Sequence, residues 1–149
     1  MRIALFQPDQ PGNVGAILRL GACLGVPVDV IEPCGFAFSD RALKRAAMDY
    51  QGLAQVTRHA SWEAFLTTLK GRLLLLTTAA EQRLPDVRFE PDDTLLFGSE
   101  SRGAPPEIHD RAGLRLRIPQ AGDTRSLNIA IAAGIALAEA LRQTDGWPQ

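Results

Sequence analysis

The stretch LLFGSESRGAPPEI, residues 95–108, governs how the rest of the chain is read. Leu95, Leu96 and Phe97 are apolar at consecutive positions, so both faces of this segment need burial. A strand buried on both faces belongs to a parallel sheet with helices on either side. The run stops at Gly98. A short loop then carries an acid, a base and a second glycine (Glu100, Arg102, Gly103). Behind it, Pro105 and Pro106 open a short helical segment, because proline suits the first turn of a helix. Strand, loop and helix in that order put the loop outside the carboxyl end of a strand, where open α/β sheets bind ligands.

The same alternation runs outward in both directions. Ile3–Phe6, Val28–Ile31, Leu73–Thr77, Thr94–Phe97 and Leu114–Ile118 read as strands, with Gln55–Arg58 a weaker one. Helical patterns lie between them. One spans Val14–Leu24, with Asn13 as its expected N-cap. Ser39-Asp40 precedes Arg41–Ala47, Ser61 precedes Trp62–Leu69, and a short helix fits Pro105–Ala112. The last pattern is the clearest, from Leu127 to Gln143. The predicted fold is α/β, a mostly parallel sheet with helices on both faces, forming a single domain over residues 1–149 with no appended RNA-binding domain. Ala130, Ala132, Ala133, Gly134, Ala136, Ala138 and Ala140 leave the last helix small-residued nearly all round. Such a helix either packs on the sheet or presses against a partner.

Net charge is −1, so any nucleic-acid binding must come from a local patch rather than from overall charge. The N-terminal run Met1–Gln7 is broken at Pro8, too soon for a signal peptide, and the longest low-charge stretch is too short to span a bilayer. A cytoplasmic protein without membrane contact is expected. Cys23 and Cys34 read as reduced small hydrophobes, and His59 and His109 stand apart from them and from each other, so no metal site is expected. The glycines after the first strand, Gly12, Gly15 and Gly21, miss the dinucleotide spacing, and there is no Walker A loop, no G-x-S-x-G elbow and no zinc deaminase signature.

Three stretches remain: PGNVGAILRL (Pro11–Leu20), FGSESRG (Phe97–Gly103) and IPQAGDTRSLNIAIAAGIAL (Ile118–Leu137). In order and spacing they resemble the three motifs of the SpoU branch of the SPOUT methyltransferases. A fourth, IEPCGFAFSDRALKRAAMDY (Ile31–Tyr50), is similar to the smallest members of that branch, which methylate the 2′-hydroxyl of the wobble cytidine or uridine in the tRNA anticodon loop. The resemblance covers nearly the whole chain. It implies a C-terminal trefoil knot, S-adenosyl-L-methionine as methyl donor, a homodimer with the site completed across its interface, and tRNA as partner. A SpoU-type 2′-O-methyltransferase of another RNA site, or a cofactor- or RNA-binding relative without catalysis, are the alternatives. Departing from many relatives, the chain has Ala130 where they carry serine two residues after the motif asparagine.

Carried over residue by residue, the resemblance makes Arg19, Glu100, Ser126 and Asn128 the catalytic set. Leu76, Gly98, Ile118, Ser126 and Leu127 line the cofactor. Asn13, Arg41, Lys44 and Arg45 contact the substrate, with Arg58 a possible addition to that basic group. Each has a plainer reading: Asn13, Ser126 and Asn128 as caps, Arg19 and Arg41–Arg45 as solvated helix charges, Glu100 and Arg102 as a surface pair. Gly98 is either a turn glycine or the residue that lets adenosine approach the backbone. Arg19 suits positioning and charge screening better than proton removal, because a guanidinium stays protonated.

Overall fold

The computed structural model describes residues 1–39, 41, 45, 55–122 and 124–149. The described strands are β1 Arg2–Phe6, β2 Val28–Ile31, β3 Val56–His59, β4 Leu73–Leu76, β5 Gln82–Arg83, β6 Thr94–Phe97 and β7 Leu114–Arg117. The described helices are α1 Pro11–Leu24, α2 Trp62–Leu66, α3 Pro106–Arg111 and α4 Ile129–Gln143, with a 3-10 turn at Leu84–Asp86. The strands form one sheet in the order β3-β2-β1-β6-β4-β7-β5, parallel at every pairing. The expected α/β class and parallel sheet are what the chain adopts.

Alternation along each strand sorts its side chains between two cores. Ile3, Leu5, Val28, Val30, Leu74, Leu95 and Leu116 face α1 and α4. Ala4, Phe6, Ile31, Leu73, Leu75 and Leu96 face Phe65 of α2 and Ile108 of α3. The small residues of α4 serve the first core: Ala133, Ala136 and Ala140 have no exposed surface, so the helix lies close on the sheet and on α1. The second layer is incomplete. It ends between β4 and β7, because Leu75 is fully buried while its register neighbour Arg115 is exposed. The described helices therefore cover both faces over β2, β1, β6 and β4, and only one face over β7.

Several expected boundaries move. Helix α1 begins at Pro11, whose fixed φ fits the first helical position, so its cap residue is Gln10, without a side-chain bond, and Asn13 lies inside the first turn. Helix α4 begins at Ile129 rather than Leu127, because the Asn128 side chain accepts from the Ala130 and Ile131 N–H groups at 2.9 and 3.4 Å. Ser61 does cap α2, accepting from the Ala64 N–H at 3.2 Å, but the helix stops at Leu66. The weak strand falls at Val56–His59, one residue later than expected. Strand β5 went unforeseen because two polar residues make no apolar run. Most of the expected Arg41–Ala47 helix, Lys44 included, lies outside the described residues.

One polar group is buried inside the α2 layer. Asp29 has no exposed surface, and its carboxylate accepts from Arg2 Nε at 2.7 Å and Arg2 Nη2 at 2.8 Å. His59 Nε2 lies 2.7 Å from Asp29 Oδ1, and its ring packs edge-on to Phe65 at 5.3 Å. The cluster gives a buried carboxylate the partners it needs.

Candidate functional site

A cavity of about 540 Å³ opens at the carboxyl ends of β4, β6 and β7. Its size and its mixture of apolar walls with a few polar groups suit a small organic ligand. Leu76, Gly98, Ile118 and Leu127 line it, and so do Asn13, Glu100, Ser126 and Asn128. The structure thus brings together, from three separated stretches, all the expected cofactor-lining residues and most of the expected catalytic ones. Arg19, on an exposed turn of α1, does not line the cavity of its own chain, nor do the exposed Arg41 and Arg45. Arg58, the suggested addition to that basic group, has partners within the chain. It is paired with Glu32 and stacked on the Phe38 ring at 4.4 Å.

The opening loop is a closed turn. Ser99 and Gly103 exchange backbone hydrogen bonds of 3.1 and 2.8 Å, and the Arg102 N–H donates to Ser99 Oγ at 3.2 Å. Gly103 has φ +68°, a conformation that favours glycine. A Cβ on Gly98 would come within 2.4 Å of the Gly103 carbonyl carbon and 2.5 Å of the Ala104 nitrogen. The reason for glycine at position 98 is therefore the loop folding back on itself, and the contact with the cavity comes in addition. Glu100 and Arg102 form no ion pair, so the surface-pair reading fails.

Glu100 instead anchors a chain of side-chain hydrogen bonds. Asn13 Nδ2 donates to Glu100 Oε1 at 3.2 Å. Asn128 Nδ2 donates to Asn13 Oδ1 at 2.9 Å. Asn128 Oδ1 accepts from the first N–H groups of α4. The direction of this chain is set at both ends: the helix offers only donors, and an ionised carboxylate only accepts. Neither amide can turn over without losing a bond. Asn13 is thus no cap, whereas Asn128 is a cap and a site residue at once. Ala130 contributes through its backbone N–H, so the hydroxyl it lacks is not part of the chain.

Asp9 was not foreseen. Its N–H donates to Glu100 Oε2 at 3.1 Å, and its own carboxylate accepts from the Ser101 N–H at 3.3 Å and from the Ser101 hydroxyl. It straps the loop after β1 to the loop after β6. Burial, and next to it the neighbouring Asp9 carboxyl, push the Glu100 carboxyl above the usual carboxylate range. Burial pulls Asp9 upward too, but the hydrogen bonds from Ser101 hold it below that range. Thr77, Thr78, Gln120 and Arg125 also line the cavity and were not singled out. Arg125 stood in the third motif, directly before Ser126. The threonines follow β4 with no motif to mark them. Cys34, half-buried and beside Glu32, has its thiol pushed up to about 11, chiefly by burial, and stays protonated. Among the described residues no group of histidines, cysteines and carboxylates could hold a metal ion, and no helix is long and apolar enough to cross a membrane.

Residues 1–138 match the model of the SpoU rRNA Methylase family. A tRNA (cytidine(34)-2'-O)-methyltransferase of Beijerinckia indica subsp. indica is 49% identical over 144 residues, which cover 95% of this chain and 90% of the relative. A solved structure described as "Structural insights into the 2-OH methylation of C/U34 on tRNA" superposes with a TM-score of 0.92 at 42% identity, covering 95% of this chain and 94% of that one. The AdoMet-bound rRNA methyltransferase from Sinorhizobium meliloti gives a TM-score of 0.86 at 30% identity, over 95% of this chain and 55% of that one.

Proposed function

The chain belongs to the SpoU rRNA methylase family, and we propose that it methylates the ribose 2′-hydroxyl of the wobble cytidine or uridine of tRNA, with S-adenosyl-L-methionine as donor. The observation that carries this reading is the Glu100–Asn13–Asn128 chain. It ties the three family motifs into one rim beside a cavity of cofactor size.

The residues present fit the donor. Leu76, Phe97, Ile118 and Leu127 offer apolar surface for a flat purine, and Asn13, Glu100, Ser126 and Asn128 supply polar groups in the same cavity. Bound there, S-adenosylmethionine supplies an electrophilic methyl group on a sulfonium. Each of the Asn13 and Asn128 amide nitrogens uses one N–H in the chain, and the second is suited to holding the target ribose. Alignment of the hydroxyl with the methyl is the main catalytic contribution such groups can make. Arg19 remains a cation, and its role is to orient the nucleotide and screen its phosphate.

Arg19 acts on the cavity of a second copy of the chain. Leu127, just before α4, and Ile131 and Ile135 on it are 36%, 57% and 40% exposed, an apolar stripe, and α4 packs against α1, on which Ala16 and Arg19 are exposed. A homodimer through these helices covers the stripe and carries Arg19 to the partner. The family's C-terminal trefoil knot is proposed with it, supported by the placing of β7 between β4 and β5. Arg41, Lys44 and Arg45 serve as phosphate contacts, and a tRNA substrate places the enzyme in the cytoplasm.

The test is methyl transfer from labelled cofactor to unmodified tRNA, followed by nucleoside digestion and mapping. Label in a 2′-O-methylated pyrimidine at the wobble position is expected, and label elsewhere would redirect the reading to another RNA site. Arg19→Ala should lose transfer by about 10²-fold or more while keeping cofactor affinity. Loss of cofactor affinity instead would remove the role given to Arg19.

A further inference from the structure

The bare face of β7 carries Arg115 and Arg117, two residues apart and therefore on the same side of the strand. Arg83 of β5 is the register partner of Arg117, which places it on that side as well. All three are exposed. Among the described residues, Arg83 has only a loose pairing with Asp86, at 3.7 Å, and neither Arg115 nor Arg117 has an ion pair. Like charges on neighbouring strands repel, so the trio works against the sheet that carries it. Charge used only to protect a sheet edge needs no such concentration of one sign. In a chain of net charge −1, this is a local excess on a surface that no described helix covers.

Its place is informative. Arg117 is followed directly by Ile118, which lines the cavity, so the trio begins at the cavity rim and runs back along the strand. Arginine side chains along one strand and its neighbour, with planar forks facing solvent, match a row of phosphates better than a single carboxylate. We propose that Arg83, Arg115 and Arg117 form a track that binds the phosphate backbone of the RNA next to the target nucleotide. The inference rests on RNA being the substrate, as proposed above.

Filter binding of unmodified tRNA across a salt series tests it, because retention does not require methyl transfer. Each phosphate contact contributes about 0.9 to the slope of log affinity against log salt on a duplex and about 0.7 on a single strand. Single, double and triple Arg→Gln variants at these positions should therefore flatten the slope stepwise, by about 2 for the triple variant. KM for tRNA should rise about 10-fold or more at physiological salt. Unchanged cofactor affinity checks that each variant is folded. A triple variant with the wild-type slope and KM, in an enzyme that methylates tRNA, overturns the track and leaves the proposed function standing. Stepwise flattening in a protein that methylates no wobble pyrimidine supports the track and overturns the function. A wild-type protein that binds no RNA overturns both.

Discussion

Two polar clusters of similar size are built into this sheet, and they solve opposite problems. Arg2–Asp29–His59 lies inside the α2 layer, with Asp29 wholly buried and held by a two-pronged guanidinium. Glu100–Asn13–Asn128 lies at the carboxyl ends of the strands, and its acid is met by an amide and a backbone N–H rather than by a cation. The first cluster neutralises its charge within itself. The second leaves Glu100 with its carboxyl pushed upward, mainly by burial, and leaves amide hydrogens for a ligand. The closed cluster fits a packing role, whereas the open one fits the catalytic role proposed above.

The contrast can be broken by substitution. Asp29→Ala removes the acceptor from a buried pair and should lower unfolding stability by about 3 kcal/mol in urea, with cofactor affinity of the folded protein kept. Wild-type stability in that variant would end the claim that this cluster serves the fold. Glu100→Gln should do the reverse. Its amide cannot accept from both Asp9 and Asn13, so the direction of the chain is lost. Single-turnover methyl transfer should fall about 10²-fold, about 2.7 kcal/mol, while stability moves by less than about 1 kcal/mol. Unimpaired transfer would mean that the ordering of the amides is incidental.

Two smaller effects sharpen the same comparison. Ser61→Ala removes the cap of the helix that covers His59 and should cost about 1 kcal/mol in urea melts without touching transfer. The pH dependence of Glu100 has a definite sign. With its carboxyl raised, the native state holds a proton that the unfolded chain has lost, so stability falls as pH rises from the ordinary glutamate value of 4.5 through the raised one. Asp9, held below its ordinary value, contributes stability that is lost only as pH falls through the depressed value. Over the upper window the stability of the wild type should decline relative to Glu100→Gln. A parallel course for the two proteins would show that Glu100 does not titrate there.

Much of the site was legible before any geometry. The apolar run ending at Gly98 placed Gly98 and Glu100 at a strand end, where the cavity lies, and the resemblance to the SpoU motifs added Ser126 and Asn128. What misled was local. Asn13 looked like a cap because asparagine before a helical pattern usually is one, but Pro11 starts the helix earlier and frees the amide for Glu100. Gly98 looked like a cofactor contact, and the closer constraint proved to be the return of its own loop. Asp9 carried no signal, since its partners lie more than ninety residues away in sequence.

By itself the sequence determined the apolar strands, the parallel sheet and the motifs of the methylase family, though not the polar β5, because apolar periodicity and turn residues act over a few neighbouring positions. Tertiary structure alone decided the order of the strands, the direction of the amide chain and the bare face of β7. Those depend on register between distant segments. Arg83 and Arg117 become neighbours only when β5 pairs with β7, and Asn13 meets Asn128 only when α1 and α4 share a core.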